Sequence, residues 1–166
     1  ILAPVGGQQQ LIAAVRSGAD AVYLGTQAFN ARRNAENFDS AAGLRDAVAY
    51  CHARNVKVHV TMNTLVMDHE LNMARETLRD IASAGVDAVI VQDLAIARLV
   101  RSCCPGLEMH ASTQMAIHNV AGVRAMEKLG FSRVVLAREL SLEEIRKIAS
   151  STSLEIETFV HGALCM

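Results

Sequence analysis

Short β-branched runs alternate along this chain with longer stretches of helical period, and that alternation leaves few folds open to it. The spacing predicts strands at 2–5, 21–25, 56–62, 88–92, 107–112, 133–137 and 155–160, with helices at 8–17, 41–54, 70–84, 95–103, 119–129 and 142–150 between them. Parallel strands need a crossover of a dozen or more residues, which a helix supplies, so the pattern reads as successive β/α units. Three segments repeat one turn: Ser17-Gly18-Ala19-Asp20-Ala21-Val22, Ala84-Gly85-Val86-Asp87-Ala88-Val89 and Leu129-Gly130-Phe131-Ser132-Arg133-Val134. Each sets a glycine where a helix ends and a buried strand begins. Ser141 followed by Glu144 forms a capping-box pattern, and Asp39 or Ser40 is placed to cap the second helix. The expected fold is α/β, a TIM-type (β/α) barrel truncated to about seven strands. An open doubly wound sheet fits less well, because Val5-Gly6-Gly7-Gln8 after the first strand lacks the GxGxxG spacing of a nucleotide loop. A barrel short of its eighth unit exposes two strand edges, so dimerisation, strand exchange or further chain is expected to complete it.

Composition narrows the function classes. With 166 residues, 51% of them hydrophobic, the chain can bury one substantial core. Sixteen basic against seventeen acidic residues give a formal charge of −1, and so no global field to draw in nucleic acid or an anionic surface. Aromatic residues make up only 4%, with no Trp, which argues against a module that stacks bases on aromatic platforms. No apolar run reaches the roughly 18 residues that span a bilayer, and Ile1-Leu2-Ala3-Pro4 carries no basic n-region, so a cytoplasmic protein with no membrane partner is expected. Cys51, Cys103, Cys104 and Cys165 follow no disulfide or zinc-ribbon spacing, which fits reduced thiols.

In a parallel barrel the chemistry lies where strands end and the following loops begin. Those ends carry Arg32, Arg33 and Asn34 after the second strand, Asn63 after the third and Gln92 after the fourth. They continue with His110, Ser112 and Gln114, then Arg138 and Glu139, then His161 and Cys165. So many polar groups at one mouth imply a polar ligand, since burying them unpaired would cost about 1–3 kcal/mol each. Each has a plainer alternative. Asn63 and Gln92 could satisfy loop backbone, Arg138-Glu139 could be an ion pair or the lead-in to the Ser141 cap, and Arg32-Arg33 could simply be solvated. His110 and His161 are the two histidines at strand ends, whereas His52, His59, His69 and His118 are set aside by position. Cys51 reads as core and Cys103-Cys104 as structural. Cys165 is open between a thiolate nucleophile, a metal ligand and a small inert residue.

Phe159-Val160-His161-Gly162-Ala163-Leu164-Cys165-Met166, together with His110-Ala111-Ser112-Thr113-Gln114 and residues 135–145, resembles the U32 family of collagenase-like peptidases. The resemblance implies that residues 1–166 are the N-terminal barrel domain of a longer U32 protein, incomplete at its C-terminal end. It implies Cys165 as the first ligand of a [4Fe-4S] cluster completed by cysteines further on. It also implies oxygen-independent hydroxylation of a tRNA wobble uridine, a 23S rRNA cytidine or a ubiquinone precursor, with prephenate as the hydroxyl source. The loop 32–34, Asn63, His110, Gln114, Arg138 and His161 are the substrate-binding candidates it carries over. Two other readings stay open. One is a peptidase, with Cys165 as nucleophile and His161 or His110 as base, or with a metal-bound water. The other is a non-catalytic subunit in a homo-oligomer or in a heterodimer with a second U32 protein.

Overall fold

The computed structural model describes residues 1–31, 38 and 40–162. Arg32, Arg33, Asn34, Asp39 and Cys165 lie outside the described residues. Two units form, Ile1–Glu108 and Met109–Met166. In the first, β1 (Leu2–Pro4), α1 (Gln8–Arg16), β2 (Ala21–Gly25), α2 (Ala41–His52), β3 (Lys57–Met62), α3 (Leu71–Ser83), β4 (Ala88–Val91) and α4 (Leu94–Cys103) alternate along the chain. Their strands pair in chain order and in parallel, with Leu2 opposite Ala21, Tyr23 opposite His59 and His59 opposite Ala88. The second unit continues the alternation with β5 (Glu108–Ala111), α5 (Val120–Leu129), β6 (Arg133–Val135), α6 (Leu142–Ala149) and β7 (Glu155–Glu157). Here His110 stands opposite Arg133, and Arg133 opposite Glu155, again in parallel. Seven parallel strands, each of the first six followed by a helix, are the α/β architecture expected of a TIM-type barrel truncated to about seven strands.

Burial follows the periods in the sequence. All four residues of β4 are buried, as a parallel strand covered on both faces requires. Helix α3 buries Ala74, Leu78 and Ile81, one stripe at helical spacing, and α4 buries Ile96, Ala97 and Val100 in the same way. Strand β3 sends Val58, Val60 and Met62 to one face, with His59 and Thr61 on the other. Side chains close the helix starts: Ser40 Oγ accepts from Gly43 N at 3.0 Å, and Asn119 Oδ1 accepts from Gly122 N at 2.8 Å. The capping box is present as well, Ser141 Oγ meeting Glu144 N while the Glu144 carboxylate reaches back to Ser141 N at 2.8 Å.

The echoed turn is one structure. Gly18, Gly85 and Gly130 have φ of +87°, +81° and +82°, the left-handed conformation that closes a helix. Ala19 N donates to Ala14 O at 3.2 Å and Phe131 N to Met126 O at 3.1 Å, five residues back in each case. The second helix uses the same device without a glycine: Asn55 takes φ of +57°, and Val56 N donates to Cys51 O at 3.0 Å. Asparagine tolerates this region better than other L-residues, which is why the sequence echo is silent there.

Only β2 keeps its expected bounds; β1, β3, β4 and β5 lose one residue at one or both ends, and β6 and β7 stop two and three residues early. Strand β6 stops at Val135, because Leu136 N still bonds to Glu157 O at 3.0 Å but Ala137 N turns aside to Ile117 O at 2.9 Å. Strand β7 stops at Glu157 instead of continuing to Val160, and Phe159 leaves the sheet direction to lie against Arg138. An ion triad clasps these two strands: Arg133 Nε meets Glu155 at 2.8 Å and Arg133 Nη1 meets Glu157 at 3.0 Å. Burial pushes the Glu157 carboxyl above its ordinary range, against the pull of Arg133.

Gly18→Ala places a methyl in open space but holds an L-residue at φ of +87°, so it should lower stability by about 1–2 kcal/mol. Asn55→Gly should change stability by less than about 1 kcal/mol, strain relief offsetting added unfolded-state freedom. Urea unfolding of both variants checks the pair.

Candidate functional site

Among the described residues, the buried polar ones are Asn30, His59, Thr61, His110 and Ser112. They lie in β3, in β5 or in the loops that follow β2 and β5.

In the first unit the loops after β2, β3 and β4 are stitched together sideways. Thr61 Oγ lies 3.1 Å from both the Leu24 carbonyl oxygen and Asn30 Oδ1, so its single proton is shared between two acceptors. Asn63 Oδ1 accepts from Ala31 N at 3.1 Å, and Asp93 holds Ala95 N at 2.7 Å with one oxygen and Val66 N at 3.1 Å with the other. Asn63 and Asp93 therefore satisfy loop backbone, the plainer of the readings open for Asn63. Gln92 is part-buried, and its side chain makes no hydrogen bond to another described residue. Phe29, buried beside Asn30, sits at φ of +58°, a strained conformation for an aromatic residue.

The second unit repeats the plan. Thr113 Oγ donates to Leu136 O at 3.3 Å and Ala137 N donates to Ile117 O at 2.9 Å, which joins the loops after β5 and β6. His110 and Ser112 share one face, and Ser112 Oγ accepts from Gln114 N at 3.2 Å, closing a 3-10 turn over Thr113–Met115. Gln114 itself is exposed. Arg138 follows β6, and its guanidinium carbon lies 3.7 Å from the centre of the Phe159 ring. Arg138 Nε is buried without an acceptor among the described residues, and the side chain makes no ion pair with Glu139, which is exposed. His161 is exposed and forms no hydrogen bond or ion pair with another described residue.

The structure thus brings Arg138 together with Phe159, and Ser112 with Gln114 through backbone, while His161 stands apart. Sequence reading passed over Thr61, Asn30 and Phe159 as site residues. The signal for Thr61 was its period-2 partnership with His59 on β3.

A sequence model of peptidase family U32 matches residues 6–166. The chain belongs to peptidase family U32. It is 44% identical to the 23S rRNA 5-hydroxycytidine synthase of Escherichia coli over 153 residues, 92% of this chain and 23% of that protein. It is 36% identical to a tRNA hydroxylation protein of Bacillus subtilis over 166 residues, all of this chain and 39% of the relative. A collagenase of Porphyromonas gingivalis is 33% identical over 177 aligned residues, covering all of this chain and 42% of the relative. The U32 chain therefore spans between 23% and 42% of the length of these relatives. The solved structure of the U32 peptidase Mk0906 superposes with a TM-score of 0.76 at 20% identity, over 95% of this chain and 66% of that one, and shares the fold. Among the described residues no helix is long and apolar enough to cross a membrane.

The described cysteines do not fit an iron-sulfur cluster. Cys51 lies in α2 at 0% exposure, and burial pushes its thiol up to about 11. Cys104 is buried with its thiol raised for the same reason, and among the described residues no three metal-capable side chains converge. With a thiol pKa of about 11 against an ordinary 9.0, Cys51 should carry about 100-fold less thiolate at pH 8. Iodoacetamide labelling followed by mass spectrometry should find Cys51 unmodified under conditions that label a free cysteine fully.

Proposed function

We propose that this U32 chain is the barrel portion of a protein that hydroxylates RNA without molecular oxygen, at a tRNA wobble uridine or a 23S rRNA cytidine. The observation that carries this reading is the 44% identity, across 92% of the chain, to an rRNA 5-hydroxycytidine synthase. The tRNA hydroxylation relative, matched along the whole chain, supports the same chemistry on a second RNA. In this reading prephenate supplies the hydroxyl group, and Cys165 is a [4Fe-4S] ligand whose partners are not Cys51, Cys103 or Cys104.

The chain's own residues bind and orient. Arg138 takes one carboxylate of prephenate, because it presents a positive charge and an N–H that no described residue satisfies. His110, Ser112 and Gln114 face the ligand from the β5 end, with His110 positioned to move a proton. In the first unit, Asn63 holds the loop after β2 through Ala31.

A peptidase reading draws on the collagenase relative. One of its two candidate bases, His161, is exposed, and no described carboxylate or carbonyl orients its ring.

The test is nucleoside mass spectrometry of RNA from bacteria deleted for their own U32 hydroxylation genes and supplied with the natural-length protein. We expect 5-hydroxycytidine in 23S rRNA or the 5-hydroxyuridine derivatives of tRNA to return, and Arg138→Ala to lower the yield at least about tenfold. RNA left unmodified, together with collagen-peptide cleavage that Cys165→Ala abolishes, would reverse the assignment.

A further inference from the structure

Arg138 is held in a way that an ordinary surface arginine is not. Its guanidinium carbon lies 3.7 Å from the centre of the Phe159 ring, although Phe159 is itself 39% exposed. A guanidinium held against a ring loses less freedom when an anion arrives. Gly162 comes near the other side of the group, where a Cβ would stand 4.0 Å from Arg138 Nη2, an ordinary contact distance.

Nε sharpens the point. It is buried, and no described residue accepts from it. Leaving a charged group's N–H dry and unsatisfied is unfavourable, and folding tolerates it best where a ligand oxygen completes the bond.

We infer that Phe159 is a positioning residue that holds Arg138 as a clamp for a small carboxylate. This rests on the proposed function and names how its co-substrate is recognised. One guanidinium edge offers two parallel N–H groups to the two oxygens of a carboxylate, and one positive charge balances one carboxylate. An RNA phosphodiester presents a similar pair of oxygens, but it is tethered on both sides to nucleosides. Reaching a buried Nε favours a small free anion over a link in a chain.

The experiment is calorimetric titration of the natural-length protein with prephenate, and with an RNA oligonucleotide of the target loop as second probe. Arg138→Ala should weaken prephenate binding at least about 30-fold and Phe159→Leu about 3–10-fold, while Phe159→Trp restores affinity to within about twofold. RNA binding should stay unchanged in all three. Phe159→Leu keeps apolar cover but lacks a π face, so rescue by Trp separates a charge platform from simple packing, and thermal melting confirms each variant is folded. The clamp is overturned if Phe159→Leu binds prephenate as tightly as the parent, if Trp fails to rescue, or if RNA binding falls while prephenate binding does not. A parent that binds prephenate but restores no modified nucleoside would sink the hydroxylation reading and leave the clamp standing. One that modifies RNA but does not bind prephenate would do the reverse.

Discussion

Parallel pairing is the constraint on which the rest of this structure depends. Strands that all run one way must each be re-entered from the same side, so every connection climbs back through a helix and every strand of a unit ends on the same rim. In the first unit those strand ends start the loops after β2, β3 and β4, and in the second the loops after β5 and β6. Four of the six helix-to-strand returns use a left-handed residue, at Gly18, Asn55, Gly85 and Gly130. The economy of the return turn and the polarity of the strand-end rim are two consequences of one geometry.

Loops placed side by side must satisfy one another's backbone. Asn63 accepts from Ala31 N, Asp93 from Val66 N, and Ile117 O takes the amide of Ala137. These lateral bonds use up polar groups that would otherwise look available to a ligand. What remains after that accounting is informative: Arg138 keeps a buried N–H with no described acceptor, while the ring of Phe159 supports its charge. Each unit has one strained residue in a loop that leaves a strand end, Phe29 at φ of +58° and Ala116 at +52°.

The thiols divide on the same physical ground. Cys51 and Cys104 serve the apolar packing of the first unit, and burial raises both thiols above their ordinary range. Kinship with RNA-hydroxylating proteins and with a collagenase places the chain in a family whose names span two chemistries.

Much was legible in the chain itself. The two periods of hydrophobicity and the repeated Gly turn are local properties, set by side-chain alternation and by which residue accepts a positive φ, so the order of strands and helices could be read in advance. His110 and Arg138 were legible as site candidates because a strand end is a position along the chain. The turn at Asn55 was not, since asparagine is only one of several residues that adopt it. The roles of Asn63 and Phe159 were also beyond local reading. One pins a loop 32 residues away, and the other leaves a strand early to meet an arginine on the neighbouring strand's loop. Period and turn chemistry act within a few residues and determine the elements. Which polar groups are spent on backbone and which are left for a ligand is decided by contacts between distant segments, and those exist only once the sheet has brought the strand ends together.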